Sequence, residues 1–461
     1  MKTRRNSAMK ALIVCLILIT TCAASAQLVH DELVDSLLAE GLRTCRAYDL
    51  LVELTSKAPH RLSGSEGAAK AVEVTKEMME RLGFDNVHLE KVMVPHWVRG
   101  SVESAVAASG GQEFPLTICA LGGSIATPKE GITAGVIEVQ SFEELQALGG
   151  QAKGKIIFYN RPMDPTRLNT FEAYGGAVNQ RSQGAIEAAR VGALAVLVRS
   201  MTLRLDDVPH TGVMGYADTI PKIPAAAIST LDANWLSGIL KKTTALTVRM
   251  ILTCETLPDV ESANVVGEVT GSEKPEEIIV IGGHLDAWDK GSGAHDDGSG
   301  CVQAIEAVSL IKRLGLKPKR TIRAVMFMNE ENGTRGGKAY PVAHERKREK
   351  HIAAMESDAG GHAPRGVGVQ ADSIVLAKVL RWKPLFEKLF AGNIGAGHGG
   401  VDIGPLIATG VPGFGLSPET HRYFDYHHSD NDTIDKVHPR ELEMGAIVEA
   451  LLCWLIAEEG L

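Results

Sequence analysis

The chain has 461 residues, of which 44% are hydrophobic and 23% charged, with 48 glycines. That is a globular composition, too long for one ordinary core, so at least two domains are expected. The formal charge is −8 and no basic run occurs, which argues against nucleic acid and against anionic membrane surfaces as partners.

The first residues run from basic "MKTRRNSAMK" through apolar "ALIVCLILIT" to small "TCAASA". This is the layout of a secretory signal peptide, residues 1–26, cut after Ala26; its apolar run is too short for a comfortable membrane span. Cleavage before Cys22, as in a lipoprotein, is the rival, and Thr21 in front of the cysteine fits it poorly. An exported protein, periplasmic or extracellular, with no membrane span in its mature form is therefore expected. Losing Lys2, Arg4, Arg5 and Lys10 takes the formal charge from −8 to −12. The remaining cysteines, Cys45, Cys119, Cys254, Cys301 and Cys453, are far apart and form no CxxC pair. No disulfide is predicted, and a thiolate zinc site is disfavoured.

From Asp31 the apolar residues recur at helical spacing, and "GSEGAAKAVEVTKEMMERLGF" predicts a second amphipathic helix that Gly83 stops. "VHLEKVMVPHW" and "SVESAVAAS" alternate like paired strands. Over 111–257 short apolar strands alternate with helical pieces, as in a small α/β module with its own core. Segments 27–110 and 258–461 make up the domain it interrupts. In the latter, "NVVGEVTG", "EEIIVIGG", "TIRAVMFMN" and "HIAAMESD" read as continuous apolar strands, with the helix "GCVQAIEAVSLIKRLG" between them. The fold class is α/β: a mostly parallel, mixed central sheet covered by helices on both faces, with the small module inserted.

Ligands in such sheets gather beyond the carboxyl ends of the strands. There the sequence offers His284, Asp286, Asp296 and Asp297, then Glu330 and Glu331, then Glu356 and Asp358, and lastly His427 and His428. Any one of these is more often a cap or a solvated charge. Four strand ends carrying them together are hard to explain as solvation. Imidazoles and carboxylates without thiolate suit zinc in a mixed N/O site. A carboxylate that bridges two cations ~3.5–4 Å apart would let them acidify one water between them. Such a site needs an unligated base, and adjacent Glu330 and Glu331 can divide those two tasks.

The chain resembles the co-catalytic zinc exopeptidases of metallopeptidase family twenty-eight, which include bacterial leucyl-type aminopeptidases and glutamate carboxypeptidases. The likeness lies in "HRLSGSEGAAKA", "VPHWVRGSVESA", "GGHLDAWDKGSGAHDDGSG", "LIKRLGLKPKRTIR", "NEENGTRGG", "MESDAGG" and "YFDYHHSDNDT" and covers nearly all of the mature chain. It implies two zinc ions: His284 and Asp358 on one, Glu331 and His428 on the other, and Asp296 bridging. It implies Glu330 as general base and Asp286 as the carboxylate that orients a ligand imidazole. His428 rather than His427 is implied by the spacing to the following Asp-Thr. The inserted segment resembles a protease-associated domain, and a lid that narrows the cleft to small peptides is expected of it. Small peptide substrates are the implied partners, with a homodimer as an open expectation.

Two other functions share the scaffold: a one-metal glutaminyl cyclase and a binding protein that has lost its ligands. The intact ligand set and base count against the second, and the inserted module against the first. Within the peptidases, dipeptidase, carboxypeptidase and aminopeptidase differ in which substrate terminus is read, and the resemblance implies dipeptides with a free amino end, hydrolysed to amino acids. Weaker expectations attach to six residues. His295 is expected to be exposed. His398 and Asp402 lie in a glycine-rich loop that could line the cleft. Phe424 and Tyr426 are read as a side-chain pocket or as packing, with Tyr426 a candidate to polarise the peptide carbonyl. Asp297 is expected to cap the helix that begins at Gly298.

Overall fold

The computed structural model describes residues 30–461 except 344, 345 and 347. The signal-peptide expectation and Cys22 lie outside the described residues. Two eight-stranded sheets carry the fold. The strands are β1 (Asp85–Val98), β2 (Glu103–Ser109), β3 (Gln112–Leu116), β4 (Ile118–Ala120), β5 (Ile132–Val139), β6 (Ile156–Tyr159), β7 (Ala195–Arg199) and β8 (Ala225–Ile228). They continue with β9 (Thr247–Leu252), β10 (Glu255–Val269), β11 (Lys274–His284), β12 (Arg320–Phe327), β13 (Lys350–Glu356), β14 (Pro364–Gln370), β15 (Asn393–Ala396) and β16 (Gly413–Pro418).

The larger sheet has the order β1-β10-β12-β11-β13-β16-β14-β15. Its centre, β12-β11-β13-β16, is parallel; β1 and β10 run antiparallel to their neighbours, and β14 is antiparallel to β16 but parallel to β15. This is the mixed, mainly parallel sheet that the apolar runs predict. Strand period splits β11 between two cores. Ile279 and Ile281 pack beneath helices Ser299–Arg313 and Pro439–Glu459, with Val302, Ile305 and Leu451. Ile278 and Val280 face the other side, with Val325, Phe327 and Tyr340. Burial of each such side chain stabilises by ~1.5–3 kcal/mol, so the strand that ends in His284 is held from both faces. No helix among the described residues is long and apolar enough to cross a membrane.

The second sheet, β3-β2-β9-β5-β6-β7-β8-β4, belongs to the inserted segment. Its middle, β5-β6-β7-β8, is parallel. It takes in β2, so it reaches back before residue 111. The expected pairing of "VHLEKVMVPHW" with "SVESAVAAS" does not form. β1 pairs with β10 in the larger sheet, whereas β2 pairs with β3 and β9 in the smaller one. The chain crosses from one sheet to the other at Arg99, whose guanidinium binds both carboxylate oxygens of Asp289 at 2.8 and 2.6 Å. Two aromatic contacts lock the module down. Trp288 enters the module's core beside Trp97, and Tyr423 and Phe424 pack into its other core. The five cysteines Cys45, Cys119, Cys254, Cys301 and Cys453 are free.

Candidate metal centre

The parallel strands β11, β12 and β13 end side by side, and the site residues follow them. His284 is the last residue of β11. Asp297 ties this strand end to the next helix: its Oδ2 accepts from His284 N at 3.1 Å and its Oδ1 from Gly300 N at 2.9 Å. Asp297 thus caps the helix, as expected. A Cβ on Gly300 would lie 1.9 Å from Ser357 O, so only glycine lets this helix start against the end of β13. The Asp296–Asp297 peptide is cis. Asp432 fixes the loop in front of it, accepting from His295 N at 2.7 Å and Asp296 N at 3.1 Å. Arg61, fully buried, donates to the carbonyls of Leu285, Ser292 and Gly293 at 2.6–2.7 Å and braces the same loop from the opposite side.

Asp296 stands between two imidazoles. Its Oδ1 is 3.2 Å from His284 Nε2 and its Oδ2 is 3.2 Å from His428 Nε2. Asp358 Oδ1 is 3.4 Å from His284 Nε2, and Glu331 Oε2 is 3.0 Å from His428 Nε2. Two groups, His284–Asp296–Asp358 and Asp296–His427–His428, bring their ligand atoms within 4.8 Å of one another. His427 meets Asp296 only at 3.8 Å, and its ring lies stacked on His428 with centroids 3.5 Å apart. His428, by contrast, contacts both Asp296 and Glu331.

The electrostatics of this cluster call for added positive charge. Burial raises the carboxyl groups of Glu331 and Asp358 above the ordinary range, and that of Glu330 well above it, despite the two imidazoles nearby. Burial opposes ionisation at Asp296 as well, yet the His284 and His428 contacts hold its carboxyl well below the usual value. Glu331 Oε1 is buried with no hydrogen-bond partner. Buried carboxylates in such company are stable when they coordinate cations. The donor set, two imidazoles and at least three carboxylates, fits divalent zinc.

Several expectations change here. Asp286 does orient His284, but through its backbone O, 3.0 Å from Nδ1. Its carboxylate instead holds the segment that follows β12, where Oδ1 accepts from Asn329 N at 2.7 Å and Glu330 N at 3.0 Å. It therefore positions the strand end that carries Glu330. His295 is fully buried and stacks with both Tyr426 and His362, centroids 5.1 and 4.3 Å away. Tyr426 is buried, and its ring stacks on His295. Phe424 lines the cleft and also packs with Phe171 and Tyr174. His398 lines an adjoining cavity of about 1020 Å³ that Asp358 shares. Asp402 is buried behind it, and burial together with Glu356 pushes its carboxyl well above the usual range.

Residues 264–452 match the family model "Peptidase family M28". The sequence is 39% identical to carboxypeptidase Q of Bos taurus over 416 residues, 90% of this chain and 85% of that protein. The chain belongs to peptidase family M28. It is a metallo-exopeptidase, a hydrolase. The fold also matches a peptidase M28 precursor from Shewanella amazonensis, with TM-score 0.90, 36% identity, and coverage of 94% of this chain and 98% of that one. A zinc aminopeptidase from Bacillus subtilis shares the fold at TM-score 0.64 and 19% identity, over 90% of this chain and 95% of its own.

In this M28 chain the metal-centre cavity, about 570 Å³, has a wall that the sequence alone does not reveal. Phe171, Tyr174 and Arg181 reach into it from the inserted module. Arg181 donates to Thr211 O at 3.2 Å and to the Tyr174 hydroxyl at 2.7 Å. Its Nη1 lies 3.4 Å from His428 Nδ1, and its Nε is buried without a partner. The loop that brings the module so close needs Gly212, at φ +133°, where a Cβ would sit 2.2 Å from Arg181 Nη1 and 2.7 Å from His428 Nδ1. No motif marks Arg181, because its place depends on how the two sheets dock.

Proposed function

We propose that this M28 peptidase is a two-zinc dipeptidase or carboxypeptidase that acts on small peptides with a free carboxyl end. His284 and Asp358 would hold one ion, Glu331 and His428 the other, and Asp296 both. The observation that carries this assignment is the split of Asp296, whose two oxygens face two different imidazoles at 3.2 Å each. Two zinc ions bound there would acidify a water and polarise the scissile carbonyl. Asp286 holds the backbone of Glu330 so that its carboxylate faces the cavity. Glu330 takes the proton from the attacking water and hands it to the departing amine.

Arg181 supports recognition of a carboxyl end. It is the one cationic side chain among the described residues lining a cavity that Asp296, Glu330, Glu331 and Asp358 otherwise make acidic. A guanidinium only donates, and an imidazole that gives Nε2 to a metal keeps its proton on Nδ1. Arg181 and His428 therefore cannot satisfy one another, and a substrate carboxylate would complete the guanidinium. Zinc analysis tests the bridge. Asp296→Ala is expected to lose both ions, and His428→Ala chiefly one. Two zinc ions retained in Asp296→Ala would overturn the assignment.

A further inference from the structure

On the inserted module, away from the metal centre, the carboxyl ends of three adjacent parallel strands converge on a second cavity. Glu138 stands at the end of β5, Asn160 follows β6, and Arg199 ends β7. Helix Thr230–Leu240 closes the far side with Asn234 and Ser237, and Lys241 follows it at the rim. The volume is about 370 Å³. This is the position in an α/β sheet where ligands bind.

Arg199 is 7% exposed, and its hydrogen bonds among the described residues go to amide oxygens rather than to a carboxylate, with Glu138 the acidic neighbour that favours its charge. Its Nη1 donates to Asn234 Oδ1 at 2.8 Å and Asn160 Oδ1 at 3.2 Å, while its Nε is buried without a partner. Arg61 also lacks a carboxylate, but three backbone carbonyls fill its guanidinium. Arg199 instead makes its hydrogen bonds through Nη1 alone, and its unpartnered Nε, with Nη2 beside it, forms the fork that takes a carboxylate through two parallel hydrogen bonds. Leaving a buried guanidinium half-satisfied is costly, and a bound anion removes that cost. Lys241 adds a second positive charge at the rim. Glu138 supplies the opposite charge: its Oε1 accepts from Asn160 Nδ2 at 2.7 Å and Ser237 Oγ at 2.9 Å.

We infer that this cavity binds a free α-amino acid, with the carboxylate on the Arg199 fork and the ammonium at Glu138. The inference stands on the module's own residues. The ligand belongs to the chemical class that peptide hydrolysis releases, so the module would sense product.

Equilibrium dialysis of the full chain against radiolabelled L-leucine tests this in an Arg181→Met background, which removes the carboxylate partner at the cleft. One saturable site is expected there, and leucinamide, which lacks the carboxylate, should not compete for it. Adding Arg199→Met should weaken binding at least about tenfold, the loss of a charge-assisted fork. Lys241→Glu, at an exposed position, should weaken it in the same direction should Arg199→Met fail to fold. Absence of saturable binding in Arg181→Met, equal competition by leucinamide, or binding indifferent to both substitutions would each overturn the inference.

Discussion

Glu330 and Glu331 are adjacent, yet they keep different company. Glu331 Oε2 lies 3.0 Å from His428 Nε2, whereas Glu330 is anchored through its backbone to Asp286 and faces the cavity. Glu330→Gln keeps the shape and removes the proposed base. It should retain both metals and an unchanged KM, with kcat lowered at least ~10²-fold. Glu331→Gln should lose metal, because an amide is a poorer zinc ligand than a carboxylate. Zinc content and steady-state kinetics on the two variants separate the roles, and the opposite pairing of results would mean they are exchanged. At this scale the sequence is informative wherever chemistry follows directly from a strand end, as it does for His284, Glu331 and Asp358. It misleads where contact depends on direction. Nothing in "HLD" says that Asp286 serves His284 with its backbone and Glu330 with its side chain. Nor does "AHDD" say that His295 turns inward against Tyr426.

At the scale of elements, alternation predicts which face of a strand is buried but not which strand lies beside it. β1 and β2 both alternate, and only the docking of two separate cores sends them to different sheets. The last helix, Pro439–Glu459, is likewise readable as buried, since apolar residues surround it. What it conceals is Glu443, fully buried with Oε1 unpartnered and Oε2 accepting from Ala47 N at 3.0 Å. Burial, helped by the neighbouring Glu306 carboxyl, pushes Glu443 up to about 8, against the opposing pull of Arg313. Cys45 is the other titratable group that senses it. The sign follows from linkage. Below the ordinary carboxyl value of 4.5 both states are protonated and Glu443 costs nothing. As pH rises from there towards about 8, the unfolded chain ionises while the folded one holds its proton, and stability is lost. Each unit of displacement corresponds to about 1.4 kcal/mol. Glu443→Gln has no proton to lose and keeps an acceptor for Ala47. In metal-free protein its Tm should match that of the parent near pH 4 and exceed it increasingly up to pH 8. A Tm difference that does not vary with pH would show that Glu443 is not the titrating group.

At the scale of the whole molecule, the cleft belongs to both sheets. The larger sheet supplies the candidate metal-binding side chains, and the inserted module supplies Phe171, Tyr174 and Arg181. The sequence announces the module as a unit with its own core, and a lid over the site agrees with where these three side chains lie. Its contribution of a charged residue is not legible, because Arg181 and His428 are 247 positions apart and meet only once the cores around Trp288 and Phe424 have packed. On the proposed reading, the module reads the substrate end as well as walling the cleft. Arg181→Met should therefore lower kcat/KM for dipeptides with a free carboxyl group by roughly 10–100-fold, the worth of a hydrogen-bonded charge pair. The same peptides amidated at the carboxyl end should be poor substrates of both proteins and nearly indifferent to the substitution. Arg181→Lys, which keeps the charge but not the fork, should recover part of the loss. Zinc content separates this from an effect on His428, since a substrate-reading arginine can be removed with both metals in place. Equal losses on free and amidated peptides, or loss of zinc from Arg181→Met, would assign Arg181 to the support of His428 and leave the recognised terminus to other residues.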